Sequence, residues 1–410
     1  MRCSTSSSTQ PTPPHRRSHC RTFAGCWSRW APSWCSRRAT FPFAFSVSGG
    51  DTASALAAGC PVVVKAHPGH PRLSRLTAEV MDRALRQAGA PAGALGLVFG
   101  FDTGVAALRD ARVRASGFTG SVPAGKALHE VATTRDEPIP FYGELGSLNP
   151  AFVLPGAVRD RGPAIVDGYV GSFTLGVGQF CTKPGLLFLP DDHGLEDRLT
   201  AAVTDVPAAP MLNDRVRGGF IDGVAGLRDR TGMREWVRGT DTGSEVSATL
   251  LQTTVPELLD DADAVLEECF GPTSIVVEYA DRDELLSAAG AFGGNLTATI
   301  HAEPEDSDDA RSLLALVQER AGRVVWNGWP TGVAVTWAMQ HGGPFPSTVG
   351  SVHTSVGVTA ARRFQRPVCF QDTPQDHLPQ PLADSNALGI SRRIDGRVTR
   401  DDVPTTGEAL

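Results

Sequence analysis

The sequence predicts an α/β protein built from doubly wound parallel sheets. Three observations carry this. Short β-branched or apolar runs alternate with helix-patterned stretches from Phe41 onward. The chain has 410 residues, more than one domain usually holds, so two lobes are expected. Polar residues suited to ligand binding (Lys65, Ser121 and Glu144) fall at or just past the carboxyl ends of predicted strands, where such sheets bind ligands.

In chain order, Ala53 to Ala58 reads as a short helix closed by Gly59, and Pro61 to Lys65 as a strand. An amphipathic helix over Leu73 to Gln87 leads to the strand Leu97 to Gly100. A helix from Thr103, a strand from Val113 to Phe118, a helix from Gly125 to Val131 and a strand from Ile139 to Tyr142 complete the first unit. A second unit opens at Ala151 with strands near 186–190, 245–252, 274–278, 296–301 and 323–327, and helices near 194–204, 212–227, 282–291 and 307–321. Phe364 to Gln371 reads as the last strand, before a Pro/Asp/Arg-rich tail.

Net charge −7 argues against a nucleic-acid partner, and no run is long and apolar enough to span a membrane. The eight cysteines show neither metal-ligand spacing nor a disulfide framework, so no metal and a reducing cytoplasm are expected. Residues 1–40 differ from the rest: they lack Asp, Glu and Lys, are rich in Ser and Arg, carry Trp27, Trp30 and Trp34, and show no period.

The segment Gly178-Gln179-Phe180-Cys181-Thr182-Lys183-Pro184-Gly185 places a cysteine between a small-residue run and a fixed turn. Alone, Cys181 reads as an apolar core residue. Glu144-Leu145-Gly146-Ser147-Leu148-Asn149-Pro150 and Phe118-Thr119-Gly120-Ser121 occur upstream, and with them, in this order, the chain resembles the aldehyde dehydrogenase superfamily. The resemblance implies that Cys181 is the nucleophile and Glu144 the base that hydrolyses a thioester. It also implies a nicotinamide cofactor held by Lys65, His67, Gly120, Ser121, Gly125, Leu145, Glu268 and Phe270. The last two lie in Glu267-Glu268-Cys269-Phe270-Gly271-Pro272, similar to a family motif, which makes Cys269 a wall residue. No acid stands at Ala66, His67 or Pro68 to repel a 2′-phosphate, so NADP is expected over NAD.

Gly49 to Leu56, Lys65-Ala66-His67-Pro68, Asn327 to Val333 and His353 to Gly357 resemble the branch that converts 2,5-dioxopentanoate to 2-oxoglutarate. The implied domains are a partial cofactor lobe over 41–147, a catalytic lobe over 148–345, and a return strand, oligomerisation segment and tail over 346–410. Homo-oligomers and a small aldehyde substrate are implied as partners. Two departures stand out. Thr40 replaces the family asparagine that supplies half of an oxyanion hole, and residues 1–40 do not supply the family's N-terminal segment. They read as a frame-shifted translation, leaving a gap beside Val62–Lys65; the alternative function is therefore an inactive member. No histidine pattern points to a cysteine–histidine hydrolase.

Overall fold

The computed structural model describes residues 43–404 and the backbone of 23–24 and 33–36. The chain divides into two compact units, Ser28–Phe364 and Met1–Trp27 with Gln365–Leu410.

The larger unit contains two sheets. The first has five parallel strands in the order Leu95–Val98, Val62–Lys65, Ser33–Ser36, Ala115–Thr119 and Phe141–Glu144. The expected gap beside Val62–Lys65 is therefore filled: Ser33–Ser36 pairs with both of its neighbours. A strand needs only extended backbone with free N–H and C=O groups, and four residues supply that without a recognisable side-chain period. Thr40 lies outside the described residues.

The second sheet runs Ala321–Trp326, Asn295–His301, Ala151–Val153, Leu186–Pro190, Thr273–Tyr279, Thr249–Thr254, Arg234–Val237. Only the last edge strand is antiparallel among these pairs. Leu186–Pro190 is buried throughout because helices cover both faces. Leu186 and Phe188 pack into one core, and Leu187 and Leu189 into the opposite one. Each such side chain contributes about 1.5–3 kcal/mol by burial.

The sequence reading missed the 20-residue helix Pro155–Thr174, because Gly156, Gly162, Pro163, Gly168 and Gly171 break its pattern. Tertiary packing overrides this weak propensity: Ile165, Val166, Tyr169 and Phe173 are buried against the sheet. The helix delivers the chain to the cysteine loop. It also missed Arg234–Val237.

The strand read over Phe364 to Gln371 is corrected. Val358–Phe364 is a 3-10 helix, and only Pro367–Val368 is extended, pairing with Phe23–Ala24. The tail holds a hairpin, Arg392–Ile394 with Arg397–Thr399, and the Arg392 guanidinium donates to the carbonyls of Ala383, Asp384 and Asp401. Those bonds replace the apolar periodicity that a sequence reading looks for.

His301, on the strand Asn295–His301, is 2% exposed, and its ring centroid lies 4.7 Å from that of Trp329. Burial, with Arg161 nearby, pushes it down to about 4. The native state thus keeps this ring neutral while the unfolded chain takes up a proton below about pH 6.5. Stability is expected to fall by roughly 3 kcal/mol as pH drops from 6.5 to 4 on this account alone. Acid unfolding followed by circular dichroism checks this: His301→Phe should move the acid midpoint to lower pH, and an unchanged midpoint contradicts it.

Candidate active site

Cys181 sits in a loop built by three consecutive positive φ angles at Gly176, Val177 and Gly178 (58°, 59° and 63°). At Gly178 a side chain has no space, since a Cβ would stand 2.2 Å from the Gly271 carbonyl oxygen. The turn is therefore pressed against the Glu267–Pro272 segment. Lys183, fully buried, fastens the same two segments by donating to the carbonyls of Cys269 (3.0 Å) and Thr273 (2.7 Å). Burial lowers the Lys183 pKa.

Asn149, 1% exposed at φ 52°, holds the loop from the other side. Its Nδ2 donates to the carbonyls of Cys181 and Lys183, both at 2.9 Å. Its Oδ1 accepts from the Ser147 hydroxyl (2.7 Å) and from the Thr297 N–H and hydroxyl (3.2 and 3.0 Å). Sequence order gave no sign of this clamp, although Asn149 lies in the Glu-Leu-Gly segment.

Glu144 ends the strand Phe141–Glu144 and is 3% exposed. It lies beside Cys181, 37 positions later in sequence, through a residue the sequence reading did not select. His341 Nδ1 is 2.9 Å from Glu144 Oε2, and His341 Nε2 is 3.6 Å from Cys181 Sγ. The donor atoms of the three residues all lie within 4.8 Å of one another. The Ser355 hydroxyl donates to Glu144 Oε2 at 2.5 Å. Burial disfavours a charged His341, but Glu144 and Cys181 outweigh it and raise this imidazole to about 10. The sequence shows no histidine pattern for Cys181 because His341 comes from a loop 160 residues downstream, which local pattern does not reveal. Its only sequence signal is the glycine-rich His341-Gly342-Gly343-Pro344 stretch.

Burial raises the thiols of Cys60 and Cys269, that of Cys269 to about 11. Among the described residues Cys60, Cys181 and Cys269 form no disulfide.

The predicted cofactor residues form two groups along the first sheet. Ser121 is the N-cap of the helix Val122–Thr133, and its side chain makes no cap hydrogen bond. That leaves a hydroxyl beside the first backbone N–H groups, an anion-receptive arrangement. Gly125 lets the helix lie on Leu145, since a Cβ there would be 2.1 Å from Leu145 Cδ2. Gly120 is half-buried at the preceding turn. Half-buried Glu268 comes to the same place: a Cβ on Gly146 would stand 2.9 Å from its Oε2. Phe270 is half-buried two residues on.

The second group is Lys65, His67 and an unpredicted residue, Arg215. Lys65 Nζ lies 4.3 Å from the Phe101 ring centroid, and the Arg215 guanidinium 6.0 Å from it. Burial and then Arg215 lower the Lys65 pKa, so two cations share this corner. His67 Nδ1 accepts from the Gly69 N–H at 3.0 Å, which puts its proton on Nε2. Burial first, then Lys65, push His67 down to about 4, so it offers a neutral N–H rather than a charge.

The Alpha-ketoglutaric semialdehyde dehydrogenase 2 of Azospirillum brasilense is 44% identical over 364 residues, covering 87% of this chain and 69% of that protein. The Alpha-ketoglutaric semialdehyde dehydrogenase of Acinetobacter baylyi is 42% identical over 366 residues, covering 88% and 70%. A mutant aldehyde dehydrogenase from Bacillus cereus shares the fold at a TM-score of 0.72 and 22% identity, covering 88% of this chain and 71% of that one. The aldehyde dehydrogenase family pattern spans residues 35–365, taking in the second sheet, the first sheet but for Ser33 and Trp34, the Glu144 strand end and the Cys181 loop; the chain belongs to the aldehyde dehydrogenase family.

Proposed function

We propose that the chain oxidises 2,5-dioxopentanoate to 2-oxoglutarate, with Cys181 as nucleophile and Glu144 as the carboxylate on which hydrolysis of the acyl-cysteine depends. One observation carries the reading. Cys181 and Glu144, on separate elements, meet in one buried site with a histidine between them. An aldehyde carbon has no hydride ready to leave until a nucleophile adds to it, and a thiolate provides that adduct. The substrate rests on the likeness to the two semialdehyde dehydrogenases.

The residues present fit a nicotinamide dinucleotide, which accepts the hydride in the family reaction. Ser121 and the following helix N-terminus suit the pyrophosphate. Glu268, against Gly146, suits a ribose diol, and Lys65 with Arg215 suits the phosphate-bearing adenosine end. That corner supports NADP over NAD, since it offers two cations and a neutral histidine donor. Homo-oligomers, which rest on the family resemblance, and a cytoplasmic location, which rests on the cysteine pattern of the sequence, complete the reading. The domain boundaries read from sequence, 41–147 and 148–345, correspond in this reading to cofactor and catalytic lobes.

By the family resemblance Thr40 replaces an asparagine that donates to the oxyanion, and losing one donor costs roughly a hundred- to a thousand-fold in rate. Turnover is therefore expected to be slow. Absorbance of the reduced nicotinamide, followed with 2,5-dioxopentanoate and either cofactor, tests the proposal. Higher kcat/KM with NADP is expected, and Arg215→Glu should reverse the preference. Equal or better efficiency with NAD in the unaltered chain contradicts the NADP assignment; no nicotinamide reduction with this aldehyde, alongside reduction with another, contradicts the substrate.

A further inference from the structure

His341 faces both Cys181 and Glu144, and the geometry assigns its two nitrogens different tasks. Nδ1 faces a carboxylate oxygen at 2.9 Å, so it carries a proton. In the neutral ring, Nε2 then presents its lone pair to Cys181 Sγ at 3.6 Å. This is a nucleophile, a base and an orienting acid in a row. All three residues are buried, so solvent does not screen them.

We propose that His341 is a catalytic residue: its Nε2 accepts the Cys181 thiol proton and, later in the cycle, the proton of the hydrolytic water, while Glu144 orients the ring. This rests on the reading of Cys181 and Glu144 given above, and makes Glu144 act through His341. The thiol S–H proton moves to Nε2, leaving a thiolate and an imidazolium. The thiolate adds to the aldehyde carbon; a C–S bond forms and the carbonyl electron pair moves to oxygen. That pair re-forms the C=O bond as the hydride leaves with its two electrons to the nicotinamide, the oxidant of the family reaction. A neutral thioester now stands where the thiolate was.

The imidazolium has then lost one of the two negative neighbours that held its proton. Its proton passes to solvent, and Nε2 becomes a base at the stage when water must be activated. Water adds to the thioester carbon as its proton goes to Nε2. The tetrahedral adduct then expels the Cys181 thiolate and releases the carboxylic acid, which restores the ion pair. The state of Cys181 thus sets the charge of His341.

The groups that bias this exchange are few. Glu144 and Cys181 act directly, and the Arg323 guanidinium is close enough to Cys181 for the two to interact electrostatically. Across a small void that Glu144 and His341 share lie Asp51, Arg363 and His353. Asp51 and Arg363 neutralise one another at 2.7 Å, and burial lowers the His353 pKa. The Phe45 ring, 6.1 Å from His341 between centroids, adds no charge.

Two variants and two readouts test the proposal. His341→Gln should slow iodoacetamide alkylation of Cys181 at about pH 6.5 by roughly tenfold or more, with no cofactor or aldehyde present. It should also leave a burst of reduced nicotinamide followed by steady turnover reduced roughly 10²–10⁴-fold. In His341→Ala, added imidazole should restore turnover with a saturable dependence on its concentration. Wild-type alkylation and steady-state rates in His341→Gln overturn the proposal, as does a folded His341→Ala that imidazole does not rescue. Failure of the nucleophile assignment itself is read separately, from Cys181→Ser.

Discussion

Cys181→Ser is expected to lower nicotinamide reduction by at least about three orders of magnitude, with the fold intact. The reaction needs an anionic nucleophile, and a serine hydroxyl beside the same histidine is far harder to ionise than a thiol. The substitution removes one sulfur and adds one oxygen in a loop held by its backbone. The Asn149 bonds reach the Cys181 carbonyl, not its side chain, so the loop should persist. The thiols of Cys60 and Cys269 do not replace it: desolvation keeps both in the protonated form. Initial rates and tryptic mapping of iodoacetamide label together check this. Near-normal turnover in Cys181→Ser, with loss in Cys60→Ser or Cys369→Ser, contradicts the assignment.

Asn149→Ala is expected to destabilise the protein by several kcal/mol and to remove most activity in whatever fraction remains folded. The substitution leaves the Cys181 and Lys183 carbonyls and the Thr297 N–H without their side-chain partner in a buried site. Each buried group left unsatisfied costs about 1–3 kcal/mol. Asn is also one of the few residues that tolerate a φ of 52°, and alanine there adds strain. Asn149→Asp keeps the shape and the Oδ acceptor but loses both Nδ2 donors, so it should show much of the same loss. Thermal unfolding by circular dichroism measures it. A midpoint within about 2 °C of wild type for Asn149→Ala contradicts the clamp.

Much of the fold was legible because most elements are locally consistent. The helix read over Leu73 to Gln87 occurs as Pro71–Gln87, and the run 186–190 is a strand with those limits. Apolar period and flanking turn residues suffice for such elements. Pro155–Thr174 was not legible, because its glycines and proline hide a helix that only the sheet beneath it stabilises. Ser33–Ser36 was not legible, because its sequence shows no strand period and its backbone pairs with two partner strands.

The site divides along the same line. Cys181 and Glu144 stand in contiguous motifs with diagnostic order. Arg215, Asn149 and His341 reach their places through contacts that folding creates. His341 lies 197 residues from Glu144 in sequence, and no spacing rule connects them. The signal of Asn149 and His341 is geometric, a hydrogen bond in a buried place where an unpaired partner would be costly; that of exposed Arg215 is the Phe101 ring it shares with Lys65.

The covalent acyl intermediate on Cys181 is the most direct test. Glu144→Gln, incubated with 2,5-dioxopentanoate and NADP and quenched in acid, should accumulate the oxidised acyl group as a thioester, with about one equivalent of reduced nicotinamide formed in the burst. Mass spectrometry of the digested chain should place that group on the peptide containing Cys181, and omitting the nicotinamide should abolish it. Full steady-state turnover in Glu144→Gln with no adduct, or an adduct on the Cys60 or Cys269 peptide instead, would contradict the account.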